Sequence, residues 1–299
     1  MTQPAPRPLN EDTPKGFALA VTVYVMWGFL PFFMKALAHV PTVEVIAHRI
    51  FWSVPIAGAI LVWQGRTADL KAAFRSPRML AMAALTAALI SVNWGIYVWA
   101  IQSGHALDAA LGYYINPLYS VFLGAVVLKE RLNRSQMTAI ALAAAAVGVL
   151  TWEAGRLPVV ALGLTLTWGA YALAKKKLPI GPNQGFMLEV CLLMPFATGY
   201  LAWLELQGSA SFGSDLGTTV LLAATGLVTA IPLMIYANSA KLLRLSTIGI
   251  LQYIAPTMIL LIAVFAFGEP FGTARAIAFP MIWAALAIYS VTLIRQARA

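Results

Sequence analysis

Residues 106–128 read ALDAALGYYINPLYSVFLGAVVL, and residues 246–267 read STIGILQYIAPTMILLIAVFAF. At about 20 residues per crossing, each stretch is long and apolar enough to span a bilayer as a helix. The first carries Tyr114-Ile115-Asn116-Pro117 at its centre, and the second carries Tyr253-Ile254-Ala255-Pro256 at an offset of 139. A glutamate follows each at the same interval, Glu130 and Glu269. Similar offsets recur outside these stretches. Trp27-Gly28 with Lys35 and Leu37 matches Trp168-Gly169 with Lys176 and Leu178 at 141. Pro55 and Trp63 match Pro195 and Trp203 at 140, and Tyr97 matches Tyr236 at 139. A single Pro or Trp match arises by chance, but a shared order at a nearly constant offset does not. The chain therefore reads as two copies of one unit.

The composition agrees with a membrane protein. Of 299 residues, 61% are hydrophobic and only 10% charged, against about 25% charged in soluble domains. A chain this apolar needs lipid as part of its solvent. Ten spans are expected at roughly 17–36, 43–63, 79–101, 106–128, 135–152, 158–175, 185–205, 217–237, 246–267 and 275–294. They must be helical, because in lipid each backbone group has to be satisfied within its own segment. Residues 1–15 are Pro-rich and polar and read as a disordered tail. Residues 16–152 form repeat 1 and residues 153–295 repeat 2.

Counting Lys and Arg by loop sets the orientation. With the N-terminus cytoplasmic, sixteen of the twenty fall on one side, while Lys35, Arg156 and Arg275 fall on the other and Arg49 lies within a span. The net charge of +9 thus has a topological origin, and no basic stripe on a soluble domain suggests nucleic acid. Ten spans place both termini inside. Because the repeated unit has five helices, the second copy enters the membrane from the opposite side. Inverted repeats of this kind characterise secondary transporters, whose substrate site lies near the midplane between the halves.

Cys191 is the only cysteine, so no internal disulfide forms, and neither metal nor cofactor is expected. The sequence has no HExxH pair, no GxSxG turn and no GxxxxGK[ST] phosphate loop, which argues against an enzyme or an ATP-driven pump.

Several segments resemble the EamA branch of the drug/metabolite transporter superfamily, most closely its RarD-type members. They are Ala47-His48-Arg49-Ile50, Asn93-Trp94-Gly95-Ile96-Tyr97, Leu111-Gly112-Tyr113-Tyr114-Ile115-Asn116-Pro117-Leu118, Lys129-Glu130-Arg131-Leu132, Leu251-Gln252-Tyr253-Ile254-Ala255-Pro256-Thr257 and Phe267-Gly268-Glu269-Pro270. The resemblance covers about residues 15–295 and implies ten helices in two inverted five-helix repeats. Such proteins export amino acids or expel drugs, and many have no assigned substrate.

Polar groups at mid-helix depth usually face a cavity. Pro117 has no N–H for the carbonyl of Tyr113, and Pro256 has none for that of Gln252, so both helices are expected to open a broken turn. Aromatic residues share these layers, and about half of Trp27, Trp94, Tyr97, Trp99, Tyr113, Tyr114, Trp168, Tyr171, Tyr236 and Tyr253 are expected to touch the cavity. The candidate substrate-binding set is Trp27, Asn93, Tyr97, Tyr113, Tyr114, Asn116, Trp168, Tyr171, Tyr236, Gln252 and Tyr253.

The ionisable residues inside or bordering spans are Glu44, His48, Arg49, Asp108 and Glu189. Glu44 and His48 share a helix face and are candidates for proton coupling. Asp108 and Glu189, in first turns, read as structural. Glu130 and Glu269 are expected to anchor loops by pairing with nearby Arg or Lys, and Lys175-Lys176-Lys177 is a topological charge run. The expected protein is an exporter of amino acids or related small metabolites in the bacterial inner membrane, monomeric or weakly dimeric. Efflux of organic cations or drugs is the alternative.

Overall fold

The computed structural model describes residues 13–127, 133–239, 242–243 and 245–298. Glu130, with Lys129, Arg131, Lys241 and Arg244, lies outside the described residues, as do residues 1–12 of the expected tail. All regular structure among the described residues is helical. The helices are α1 (Pro14–Ala36), α2 (Thr42–Trp63), α3 (Ala68–Phe74), α4 (Pro77–Gln102), α5 (Ala106–Val127), α6 (Arg134–Ala154), α7 (Val159–Lys177), α8 (Pro182–Leu206), α9 (Leu216–Ser239), α10 (Leu245–Leu251), α11 (Ile254–Leu261) and α12 (Thr273–Arg298), with a π-helical turn at Ile262–Ala266. Eight are long and apolar enough to cross a membrane, and two shorter apolar segments, Val159–Lys175 and Ile254–Ala266, accompany them. The protein is an all-α, multi-pass membrane protein. Trp63, Trp152, Phe196 and Phe265 are among the large apolar side chains left facing outward, as expected of surfaces that lipid covers.

Local chemistry sets the helix ends. Thr13 caps α1 by accepting from the Gly16 N–H, with Pro14 in the first turn. Ser76 caps α4 ahead of Pro77. Asn133 and Gln136 cap each other at the start of α6, and Gly155 closes that helix at φ 63°, a conformation that glycine adopts without strain. Asp215, in the loop before α9, accepts from the Thr218 N–H at 2.8 Å. Hydrogen bonds from Thr218 hold its carboxyl below the usual carboxylate range.

Three features depart from the sequence reading, and a fourth, the opened turn before Pro256, agrees with it. The short helix α3 lies between the second and third expected spans, and α1 starts at Pro14, inside the expected tail. The ninth expected span is divided: α10 ends at Leu251 and α11 begins at Ile254, with Tyr253 N–H bonded to the Ile250 carbonyl at 3.2 Å across a tightened turn. The proline expected to break α5 does not, since α5 runs unbroken through Pro117. There the helix is pinned by α7, because the Thr165 hydroxyl donates to the Gly112 carbonyl at 3.0 Å. A Cβ on Gly112 would lie only 2.8 Å from the Ala161 carbonyl oxygen.

Packing across the molecule follows a regular scheme. Helix α1 packs on α9 and α11, α2 on α8 and α9, α4 on α7 and α8, α5 on α7 and α11, and α6 on α12. Close approach depends on glycine. A Cβ on Gly28 of α1 would meet the Met258 side chain of α11 at 2.5 Å, and one on Gly169 of α7 would meet Tyr119 of α5 at 2.5 Å. Gly226 of α9 lies against the backbone of Trp52 in α2, where a Cβ would come within 2.5 Å. Gly226→Ala therefore cannot be absorbed by a side-chain rotation. It should lower the midpoint of thermal unfolding in detergent, at a cost of about 1–3 kcal/mol. Gly148→Ala on α6, where nothing lies within 4 Å, should leave that midpoint unchanged or slightly raised.

Candidate functional site

A cavity of about 130 Å³ lies between these helices, well above the roughly 10–15 Å³ that admits one water. Its wall is drawn from α1 (Tyr24, Trp27, Leu30), α2 (Arg49), α4 (Asn93, Trp94, Tyr97), α5 (Tyr113, Asn116), α7 (Trp168), α9 (Val228, Thr229, Leu233), the α10–α11 turn (Gln252) and α11 (Ala255, Pro256, Ile259). Residues from both halves of the sequence contribute, including Trp27 and Trp168 of the two matched Trp-Gly pairs. In each case glycine allows a close helix crossing while the neighbouring tryptophan turns into the cavity.

Seven of the eleven residues expected to bind substrate line this cavity: Trp27, Asn93, Tyr97, Tyr113, Asn116, Trp168 and Gln252. Four do not. Tyr114 and Tyr253, repeat counterparts, stack on each other with ring centroids 6.4 Å apart. The Tyr114 hydroxyl bonds Thr257 at 2.6 Å, so the pair forms the α5–α11 seam. Tyr236 packs behind Trp27, centroid to centroid 5.5 Å. Tyr171 lies beside Trp168 but donates to Glu189 at 3.3 Å. Of the ten aromatics flagged in the sequence, Trp27, Trp94, Tyr97, Tyr113 and Trp168 line the cavity, and Tyr24 joins them. Tyr24 lies one helical turn before Trp27, a spacing that could have revealed it.

The largest omission from the expected set is Arg49. It is 4% exposed and is the only Asp, Glu, Lys, Arg or His among the described lining residues. Its Nε donates to the Thr229 hydroxyl at 3.0 Å, and its guanidinium lies 4.8 Å from the centre of the Trp94 ring. Its Nη1 is buried with no hydrogen-bond partner among the described residues, and no carboxylate pairs with it there. The effective penalty for burying an ion is several kcal/mol. A desolvated cation–π contact returns about 2 kcal/mol, and a hydrogen bond to a charged group about 1.5–3 kcal/mol. Nη1 is still left without an acceptor, so the guanidinium calls for water or an anion. Its place as a charge within an apolar span was the available sequence clue.

Other polar atoms of the wall also lack partners. Asn93 Nδ2 donates to the Leu164 carbonyl at 3.1 Å and to Thr167 at 2.9 Å. These bonds fix the amide so that its Oδ1 is buried without a partner among the described residues, as are Asn116 Oδ1 and the Tyr97 hydroxyl. An anionic group of a solute would find Arg49 here, and hydrogen-bond donors would find the amide oxygens.

The remaining ionisable candidates lie elsewhere. Glu44 accepts from the Ser211 N–H at 2.6 Å and the Ser211 hydroxyl at 2.8 Å. One turn on, His48 stacks on Phe212 at 5.1 Å, and both its ring nitrogens are buried without partners among the described residues. Glu269 accepts from the N–H groups of Ala106 and Leu107 at 2.7 and 2.9 Å. It thus caps α5 rather than pairing with Arg or Lys, because the unsatisfied amides of a helix start attract an anion. Asp108 pairs with Arg275 at 3.0 Å. Glu189 lies two turns inside α8, not in its first turn, because the helix begins at Pro182. It pairs with Lys175 at 2.5 Å, which takes Lys175 out of the simple charge run. The contacts of Glu44, Asp108 and Glu269, together with His39–Thr218 at 2.9 Å, lace one end of the bundle. At the other end, Lys15, Leu19, Trp63, Gln64 and Asn238 line a groove between α1, α2 and α9.

Comparison with known proteins now bears on this cavity. The family model for EamA-like transporters matches residues 14–152. The uncharacterized transporter YojE of Bacillus subtilis is 40% identical over 97% of this chain and 98% of its own length. Protein RarD of Streptomyces exfoliatus is 41% identical over 95% of this chain and 90% of its own. The chain belongs to the EamA-like transporter family. Within it, the similarity is to the RarD and YojE type over nearly the full length. A solved crystal structure at 20% identity superposes with a TM-score of 0.60, covering 94% of this chain and 98% of the other, a likeness of fold. The cavity is therefore the candidate solute site of this EamA-like transporter.

The Tyr97 hydroxyl offers a test of whether the wall is built for stability. Tyr97→Phe removes a buried hydroxyl without a partner and keeps the ring. The thermal midpoint in detergent should stay level or rise, by up to about 1 kcal/mol. A clear fall would mean that the hydroxyl serves packing.

Proposed function

We propose that this protein is a secondary transporter of the bacterial inner membrane that exports amino acids or related small metabolites, with broad specificity, by alternating access. The observation that carries this reading is the cavity shared by both copies of the repeat, with aromatic walls and unsatisfied polar atoms. Aromatic faces tolerate varied apolar side chains, while the polar atoms suit a zwitterionic head group.

The helix contacts support inverted repeats. Let α1, α2, α4, α5 and α6 correspond in order to α7, α8, α9, α10–α11 and α12. The strongest cross-half contacts then have equivalents, α3–α8 and α5–α12 being exceptions. The contact α1–α9 exchanges with α7–α4, α2–α9 with α8–α4, and α1–α11 with α7–α5, while α2–α8, α5–α11 and α6–α12 map onto themselves. This is the pattern of a pseudo-twofold axis. It needs α7 and the divided α10–α11 segment to count as spans, which makes ten and leaves both termini in the cytoplasm. In that orientation the laced end faces outward, where Lys35, Arg156 and Arg275 lie, and the cavity belongs to a state closed toward the outside. Glu44 and His48 stand at this closure, away from the cavity, so any proton coupling through them would act on opening.

Cationic drug efflux is the less favoured reading, because the one fixed charge on the wall, that of Arg49, has the wrong sign. Counterflow in proteoliposomes with labelled threonine, lysine and an organic cation separates the two. Amino acids should exchange and the cation should not, whereas exchange of the cation alone would overturn the reading. Trp168→Ala should cut exchange about tenfold or more at normal expression, since the ring lines the cavity. Tyr253→Ala should act instead through lost stability, below the roughly 3–5 kcal/mol of a fully buried aromatic because Tyr253 is half-buried, measured by thermal unfolding.

A further inference from the structure

The described wall of the cavity contains one charge, that of Arg49, and among the described residues no carboxylate pairs with it. We propose that Arg49 is the anion-recognising group of the transport site, so that transported solutes must carry a carboxylate. This rests on the transport reading and narrows it from small metabolites in general to those bearing a compact monoanionic oxygen group.

Three observations converge on Arg49. First, the guanidinium is held in place: Nε is tied to Thr229 on α9, and the plane lies against Trp94 on α4. Side-chain motion is restricted, so the group is preorganised for a partner. Second, Nη1 is buried and meets no acceptor, while the nearby Asp, Glu and His side chains are committed or lie elsewhere. Glu44 is occupied by Ser211, and Glu189 by Lys175 and Tyr171. A guanidinium fork matches a carboxylate in geometry and charge. Third, the rest of the wall has the complementary polarity. Asn93 Oδ1 and Asn116 Oδ1 are buried acceptors without partners, and neither is an acid. They can receive the N–H groups of an ammonium or amide but cannot hold a bare cation against the repulsion of Arg49. An α-amino acid satisfies both sets. A decarboxylated amine leaves Arg49 unmatched and adds a second positive charge, and a simple carboxylate satisfies Arg49 alone.

The repeat supports a dedicated role. The residue equivalent to Arg49 in the second copy is Glu189, which is closed off by Lys175 outside the cavity wall. Where the pseudo-symmetric position carries a charge that serves only structure, it is neutralised within the protein. At Arg49 it is not.

The test uses the full-length protein in liposomes and in detergent. Labelled leucine would be exchanged against internal leucine, and leucinamide, 3-methylbutylamine and 4-methylpentanoate would be tried as competitors. Thermal stabilisation by the same four compounds would be read on the purified protein. Leucine and 4-methylpentanoate should compete and stabilise, while the amide and the amine should be at least tenfold weaker. Arg49→Lys should keep that order with reduced affinity. Arg49→Gln should lose it, with an unfolding midpoint equal to or above that of the parent, because a buried cation without a partner has been removed. A residue needed only for packing would lower the midpoint instead. If the amide or amine competes as well as leucine, or if Arg49→Gln keeps the carboxylate preference, the anchor is overturned while transport stands. If no compound of any class exchanges or stabilises, the transport reading falls, and the anchor with it.

Discussion

A guanidinium cannot be held inside an apolar helix bundle without an aromatic face, a hydrogen-bond acceptor, water or an anion to share its charge. The centre of this protein is arranged around that requirement. Arg49 enters from α2 and is braced by Thr229 of α9 and Trp94 of α4, at the point where both repeats contribute to the wall. The cavity is therefore more than a packing defect. It is a largely aromatic and apolar space set with a few buried polar groups, in a protein whose outer surface is built for lipid.

The space exists because glycine permits helices to cross closely on either side of it. Gly28 on α1 and Gly169 on α7 hold equivalent positions, and at each one the partner helix leaves no room for a Cβ. The adjoining Trp27 and Trp168 are thereby aimed inward from opposite halves. Between them the Tyr114–Tyr253 stack closes the α5–α11 seam. At one end, carboxylates receive backbone amides or pair with Arg: Glu269 caps α5, Glu44 holds Ser211, and Asp108 pairs with Arg275. These contacts join helix starts to loops or to one another rather than helix to helix along their length. An end held in this way can release without unpacking the bundle, which is what a moving closure requires.

Much of this was legible in the sequence. The apolar runs located the helices, and the matched Trp-Gly pairs pointed to two cavity aromatics. What stayed hidden depended on azimuth and on partners. Tyr114 follows Tyr113 by one residue, yet about 100° of helical rotation sends it to the seam while Tyr113 faces the cavity. Pro117 and Pro256 look alike in sequence, but Thr165 and the close crossing at Gly112 hold α5 intact while the equivalent turn of α10–α11 opens. Arg49 and Glu189 are matched charges at matched positions. Only the structure reveals that Lys175 neutralises one and that nothing among the described residues neutralises the other.

The central claim, a wet cavity that two halves expose to each side in turn, is tested most directly at Ala255, a small residue of the wall on α11. With Cys191→Ala removing the one native cysteine, Ala255→Cys would be treated with a membrane-impermeant thiol reagent from either face of oriented vesicles. The account predicts labelling from both faces, with saturating solute slowing each. Labelling from one face alone, or from neither, would contradict it.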